Sequence, residues 1–170
     1  MKTTEFNKEV LFSPDNILHI NASDIDELKK KAKKNPRKRI RICAHKDIKD
    51  HIHEMLIVHE KSCYVRPHKH INKTETFHII EGEADIVLFD EKGCVDQIIP
   101  MGSYNSGRNF FYRLPPFRYH TLIIRSEVLV FHEITNGPFR PEETILAPWS
   151  PEEADLDKVS QYMAKLSNLI

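Results

Sequence analysis

The hydrophobic period along the chain changes twice. Between Ser23 and Asn35 the apolar residues Ile25, Leu28 and Ala32 recur at helical spacing. Ser23 is the predicted N-cap, with Asp24 and Asp26 in the positively polarised first turn and Asn35-Pro36 as the stop. From Arg39 the period becomes two: Ile40, Ile42 and Ala44 alternate with Arg39, Arg41 and Cys43. Strand-like runs follow at His53–His59, Phe77–Ile80, Ala84–Phe89, Cys94–Ile99, Asn109–Leu114, Tyr119–Ile124 and Val128–Thr135. Asp90-Glu91-Lys92-Gly93 predicts a hairpin turn, and Pro115-Pro116 another break. Asn16–Ile20 reads as one more short strand, whereas residues 1–12 carry no clear period. Short strands at roughly 8–12-residue spacing indicate an all-β barrel or sandwich. Ser150-Pro151-Glu152-Glu153 predicts the start of a last helix, with Ser150 as N-cap, Pro151 at its first position and Glu153 at its third. Its stripe of Leu156, Val159, Met163, Leu166 and Ile170 must be buried, and the chain's own barrel is the expected cover.

A chain of 170 residues with 40% hydrophobic and 29% charged positions fits one globular domain with appended elements. The expected parts are an N-terminal segment over 1–38, a barrel over 39–136, and a Pro-rich segment with a helix packed on the barrel over 137–170. Net charge is zero, which gives no global field to recruit nucleic acid or an acidic membrane. The Lys/Arg run from Lys29 to Arg39 reads as the wet face of a helix, with an anion contact left open. Cys43, Cys63 and Cys94 are odd in number and form no C-x-x-C pair, and the N-terminus shows no signal-peptide pattern. A reducing, cytoplasmic setting is the expectation. No apolar run approaches the ~20 residues of a membrane span.

The chemistry concentrates in His68-Lys69-His70-Ile71-Asn72-Lys73-Thr74-Glu75, with Gly82 seven positions on. In an extended strand His68 and His70 point the same way, about 6.5 Å apart at the backbone, and two such imidazoles can share one metal ion. Glu75 is expected to bring a carboxylate from a paired strand. His120 stands after a Pro-rich turn at the start of a strand whose Leu122 and Ile124 share its face, so it should point into the core. His68, His70, Glu75 and His120 are therefore the candidate ligands of one divalent transition metal, such as Fe, Zn, Mn or Ni. Any other histidine taken alone, such as His19, His45, His51, His53 or His59, is more often structural; His78 has outward parity, and His132 is ambiguous. Arg66 and Tyr64 share the parity of His68 and are candidate catalytic residues. Arg66 is a candidate anion-binding group, Tyr64 a candidate proton donor, and Arg39 and Arg41 are weaker candidates for phosphate contact.

These residues resemble the two motifs of the cupin superfamily. The first matches at His68, His70, Glu75 and Gly82; the second matches from Pro115 to His120. Ser62 and Phe117 depart from the pattern, each standing where it has glycine. A closer resemblance, to the WbuC-type cupin-fold metalloproteins, is carried by residues 35–39, 64–70, 119–122 and 137–149. It implies a double-stranded β-helix (jelly-roll barrel) with a metal inside and an N-terminal and a C-terminal helix. It also implies a setting in bacterial surface-polysaccharide (O-antigen) biosynthesis, a sugar or nucleotide-sugar ligand and a homodimer. The resemblance supplies no reaction; the reading preferred here is a metal-dependent enzyme, of isomerase, epimerase or hydrolase type, with the metal as Lewis acid. The alternatives are an Fe(II)-dependent dioxygenase and a non-catalytic sugar-binding or regulatory cupin.

Overall fold

A computed structural model describes residues 1–169. Its strands are β1 (Thr4–Asn7), β2 (Val10–Phe12), β3 (Arg39–Cys43), β4 (Ile52–Glu60), β5 (His68–His70), β6 (Glu75–Glu81), β7 (Glu83–Phe89), β8 (Val95–Gly102), β9 (Phe111–Leu114), β10 (Tyr119–Ile124), β11 (Val128–Asn136) and β12 (Thr144–Leu146). Two helices, α1 (Ala22–Lys34) and α2 (Leu156–Asn168), complete it. A seven-stranded sheet in the order β1-β2-β3-β4-β11-β6-β9 accompanies a five-stranded sheet in the order β12-β5-β10-β7-β8. Side chains of both sheets, among them Met55, Phe77, Ile86, Leu122 and Phe131, fill the space between them. Strands that alternate between two facing, mostly antiparallel sheets make a double-stranded β-helix. Among the described residues no helix is long and apolar enough to cross a membrane.

Each helix covers the outer face of one sheet. Leu28 and Ala32 of α1 pack on Ile40, Ile42, Val58 and Val130. Leu166 of α2 packs on Val87, Phe89, Tyr119 and Ile123, with Tyr162 and Met163 beside it. The last helix thus docks on its own barrel. Its start differs from expectation: the N-cap is Asp155, whose carboxylate accepts from the Lys158 amide. Ser150 is instead buried, and its hydroxyl donates to the Ala147 carbonyl. The later start leaves Leu156 75% exposed and brings Tyr162 into the buried face. Ile170 lies outside the described residues.

The cap of α1 also moves. Asn21, not Ser23, is the N-cap; its side chain accepts from the Ser23 and Asp24 amides while Asp24 accepts from the Asn21 amide. Asp24 at the third helical position closes this reciprocal box. Asn16–Ile20 forms no strand; Leu18 and Ile20 pack against the outer cluster. The N-terminal residues, in contrast, supply the β1-β2 hairpin, and β2 extends the large sheet by running parallel to β3. β12, within the Pro-rich segment, is the other strand that periodicity does not reveal.

Two positions explain how the motif turns tolerate their departures. Gly82 has φ +87°, and a Cβ there would stand 2.2 Å from the Val128 carbonyl oxygen. Phe117 occupies the second motif's glycine position and adopts φ +69° itself, with its ring 59% exposed and its amide donating to the His70 carbonyl at 2.7 Å. Ser62 has no positive φ, so a glycine is unnecessary there. The left-handed conformation costs a non-glycine residue about 1–2 kcal/mol, and the exposed ring gives little back. We expect Phe117→Gly to keep or raise stability by up to about 1 kcal/mol in denaturant unfolding, glycine's own entropy offsetting part of the relief. A loss above that size would show that the aromatic ring, and not the turn, is what the position needs.

His59 lies in the barrel interior, edge-on to Phe131 at 5.3 Å. Burial, aided by the charges of Arg39 and Arg41, pushes its pKa down to about 3. The unfolded chain therefore binds a proton at His59 that the folded chain refuses between about pH 6.5 and 3. Its contribution is fully present above about pH 6.5 and is lost as pH falls through that window, at about 1.4 kcal/mol per pH unit per proton. A His59→Leu variant should show a shallower fall of unfolding free energy from pH 6.5 to 4.5; an unchanged slope would contradict a buried neutral His59.

Candidate metal centre

Three short strands bring four side chains to one place. β5 lies between β12 and β10 in the small sheet, and His68 stands directly opposite His120 in the β5–β10 ladder. Their ring centroids are 4.5 Å apart. Glu75 opens β6 of the other sheet, paired with Leu114 and Thr135, so it arrives from the facing sheet and not from a strand paired with β5. The cluster therefore ties the two halves of the barrel together. One ligand atom from each of His68, His70, Glu75 and His120 lies within 4.8 Å of all the others. Bonds of about 2.1 Å place neighbouring ligand atoms of an octahedron roughly 3 Å apart and opposite ones about 4.2 Å apart, so modest contraction closes the site on an ion.

The far side of each imidazole is already engaged. His68 Nδ1–H donates to the Arg66 carbonyl at 2.8 Å, and His120 Nδ1–H donates to the Arg118 carbonyl at 3.0 Å. Both contacts reach back two residues. His70 Nδ1 pairs with Thr144 Oγ1 of β12 at 3.0 Å. Each ring thus turns Nε2 inward, as a metal-binding histidine requires. Glu75 Oε1 lies 2.9 Å from His70 Nε2, and Oε2 lies 2.9 Å from His120 Nε2.

The electrostatics suit a cation. Burial works to raise the Glu75 carboxyl, but the charge and hydrogen bond of His120 and the hydrogen bond of His70 outweigh it and hold the group well below its usual range. Burial lowers His120, and Glu75 more than compensates. Burial and the neighbouring His120 push His68 down to about 3, which leaves its ring neutral. Three imidazole nitrogens and one carboxylate suit a divalent transition metal and do not suit Ca²⁺ or Mg²⁺, which take oxygen ligands.

The other expected site residues lie elsewhere. Tyr64 and Arg66 precede β5 and are not strand, so the alternation that aims His68 inward does not reach back to them. Arg66 Nε donates to Ser150 Oγ at 3.1 Å, and Tyr64 OH donates to the Pro151 carbonyl at 3.1 Å. Both side chains anchor the C-terminal segment and do not enter the cluster. Arg39 pairs with Glu9 at 3.1 Å and reaches Glu153 at 3.7 Å, which engages it structurally. Arg39 and Arg41 both lie on the side of β3 that carries the core residue Cys43, and of the two only Arg39 is taken up by ion pairs among the described residues.

Four interior groups escaped the motif reading: Glu133 of β11, Lys73, Tyr112 of β9 and Thr144. Glu133 shares the inward face of Leu129 and Phe131. It keeps accessible surface although protein encloses it, and burial followed by the charge of Glu75 pushes its pKa up to about 8. Inward strand parity marks Glu133 and Tyr112 once β9 and β11 are placed, while nothing local marks Lys73 or Thr144. Two surface depressions, about 530 Å³ beside Trp149 and Lys158 and about 260 Å³ beside Leu18 and His132, touch none of the four candidate ligands.

A family model described as a domain of unknown function (DUF6016) matches residues 20–101, a stretch that holds His68, His70 and Glu75 but stops before His120. No curated protein matches the chain. The crystal structure of protein SO0799 from Shewanella oneidensis is similar over 86% of this chain and 94% of that one, at 11% identity and a TM-score of 0.57. That likeness shows a shared fold. Oxalate decarboxylase OxdC from Bacillus subtilis (20% identity, TM-score 0.47) and the capsular polysaccharide assembling protein CapF from Staphylococcus aureus (18% identity, TM-score 0.47) are each similar over 58% of this chain. This chain covers only 25% of the decarboxylase and 27% of CapF.

Replacing a ligand and replacing its outer partner should have graded effects. His70→Ala should abolish stoichiometric metal, measured by elemental analysis, while the far-ultraviolet circular dichroism of the barrel is kept. Thr144→Val removes only the oxygen behind His70, and we expect metal affinity to fall about 10–100-fold. Full occupancy in His70→Ala would refute the ligand assignment.

Proposed function

We propose that this chain is a metal-dependent cupin enzyme of the WbuC type, acting on a carbohydrate or nucleotide sugar of bacterial surface-polysaccharide biosynthesis. The observation that carries the metal part is the convergence of three inward Nε2 atoms and one carboxylate, each ring fixed from behind. The sugar part is supported by the sequence resemblance of residues 35–39, 64–70, 119–122 and 137–149. The reading includes a cytoplasmic homodimer.

When bound, a divalent metal supplies a Lewis acid for a carbonyl or hydroxyl oxygen of the substrate. His68, His70, His120 and Glu75 hold the ion, and the Arg66, Arg118 and Thr144 oxygens keep the rings from turning. Glu133, on the inward face of β11 two residue pairs from the Thr135–Glu75 pairing, replaces Tyr64 as the candidate for proton transfer.

The test is calorimetric titration of UDP-galactose and related nucleotide sugars into protein purified without chelator, followed by product analysis. We expect binding that disappears with chelator and returns with added metal. Binding that is indifferent to the metal would contradict the reading. Oxygen consumption with a small organic substrate would replace it with the dioxygenase, and metal-dependent binding with no product would replace it with a non-catalytic cupin.

A further inference from the structure

Lys73 sits in the loop that joins the two ligand strands β5 and β6. It is 6% exposed, yet among the described residues it has no ion pair; its Nζ lies 4.7 Å over the Phe139 ring. The loop is pinned, so Lys73 is held in place. Asn136 Nδ2 donates to the Asn72 carbonyl at 2.9 Å, the Thr74 amide donates to Asn136 Oδ1 at 2.9 Å, and the Ile71 amide donates to the Glu143 carbonyl at 3.0 Å. Arg41 faces the same interior, and its Nε is buried with no acceptor. Arg41, Glu133 and Glu75 are all close enough to Lys73 for their fields to act on it. Tyr112, 7% exposed, has a hydroxyl without a partner on the Glu75–Glu133 side.

Buried cations are ordinarily paired, because an unpaired charge loses its hydration without return. Here two cations face one interior, and among the described residues the carboxylates whose fields act on Lys73 are Glu75, committed to the cluster, Glu133 and Glu143. Glu143 is itself engaged by Asn72 Nδ2 at 3.2 Å and lies 3.6 Å from Arg140. With a divalent ion at the cluster, the interior holds positive charge in excess even if Glu75 and Glu133 are both ionised. The missing partner is an anion that enters with the ligand.

We propose that the ligand of this barrel carries an anionic oxygen group, a carboxylate or a phosphate ester, held between Lys73 and Arg41 at the end of the barrel next to the metal. This deepens the reading above and rests on it. It assigns the anion-holding role to Lys73 and Arg41 and removes it from Arg66, whose guanidinium is spent on Ser150. A ligand so held presents its neighbouring hydroxyl or carbonyl oxygen toward the cluster, and the unpartnered Tyr112 hydroxyl remains for a further neutral oxygen. The site therefore selects sugar acids or sugar phosphates over neutral sugars.

The test uses full-length, metal-loaded protein, with metal content checked by elemental analysis for every variant. The probes are galacturonate, gluconate, galactose 1-phosphate and neutral galactose, read by calorimetric titration. We expect at least one anionic probe to bind ten-fold or more tightly than galactose. We expect Lys73→Met and Arg41→Gln each to weaken that binding at least ten-fold while keeping one metal per chain. The acid and phosphate arms tell the two anion sources apart. The melting temperature of metal-free Lys73→Met should equal or exceed that of the parent, because an unpaired buried charge is removed. Anionic probes that bind no better than galactose, or as well to both variants as to the parent, would overturn the proposal. So would a marked loss of melting temperature in Lys73→Met. Loss of metal from the parent protein would instead strike the metal reading itself.

Discussion

Three imidazole rings are held by hydrogen bonds on their outer edges, and the candidate site depends on those bonds more than on the ligands' identity. A histidine ring that can spin offers a metal either nitrogen and neither position. Here the Arg66 and Arg118 carbonyls and the Thr144 hydroxyl occupy Nδ1, so Nε2 faces inward on all three rings. Two of these partners are carbonyls two residues before their histidines, a contact that the local backbone entry into β5 and β10 supplies. The third comes from β12, far away in sequence. The site is thus only as rigid as the attachment of residues 144–146 to β5.

That attachment explains why the segment after β11 follows so long a path. β12 pairs with β5 through Thr144, Ile145 and Leu146, opposite His70, Lys69 and His68. The chain then turns at Ala147, whose amide donates to the Pro67 carbonyl at 2.8 Å, and buries Trp149 against Phe89 and Tyr119. Arg66 and Tyr64 grip Ser150 and Pro151 immediately afterwards. α2 then settles Leu166 onto the outer face of the same sheet. A β5 of three residues would be a weak strand by itself; with partners on both edges it becomes a fixed platform for two ligands.

Much of this was legible in the sequence, and the failures have physical causes. The apolar runs place β3, β4, β6, β7, β10 and β11: each lines the barrel core, and all but β6 also send residues into an outer cluster under a helix. The spacing of His68, His70 and Glu75, with His120 at a strand entry, picks out the four side chains that the fold brings together. Parity misplaced Tyr64 and Arg66 because alternation holds only inside a strand and β5 begins at His68. Ser150 looked like a helix cap because its hydroxyl and the following Pro-Glu-Glu suit one, yet burial against Ala147 claimed it. β1, β2 and β12 are three or four residues long, too short for a period to show, and exist because the sheet edge offers them partners. Lys73 and Thr144 could not be read locally, since their meaning depends on what lies across the barrel or on the neighbouring strand.

The central claim is that His68, His70, Glu75 and His120 enclose one divalent metal ion. Anomalous X-ray diffraction from crystals of the full chain grown with Fe, Zn, Mn or Ni, recorded above and below each absorption edge, tests it directly. The account requires one strong anomalous peak per chain, at about 2.0–2.2 Å from three Nε2 atoms and a Glu75 oxygen. An anomalous peak elsewhere with none between these side chains, or rings turned to present Nδ1, would contradict it.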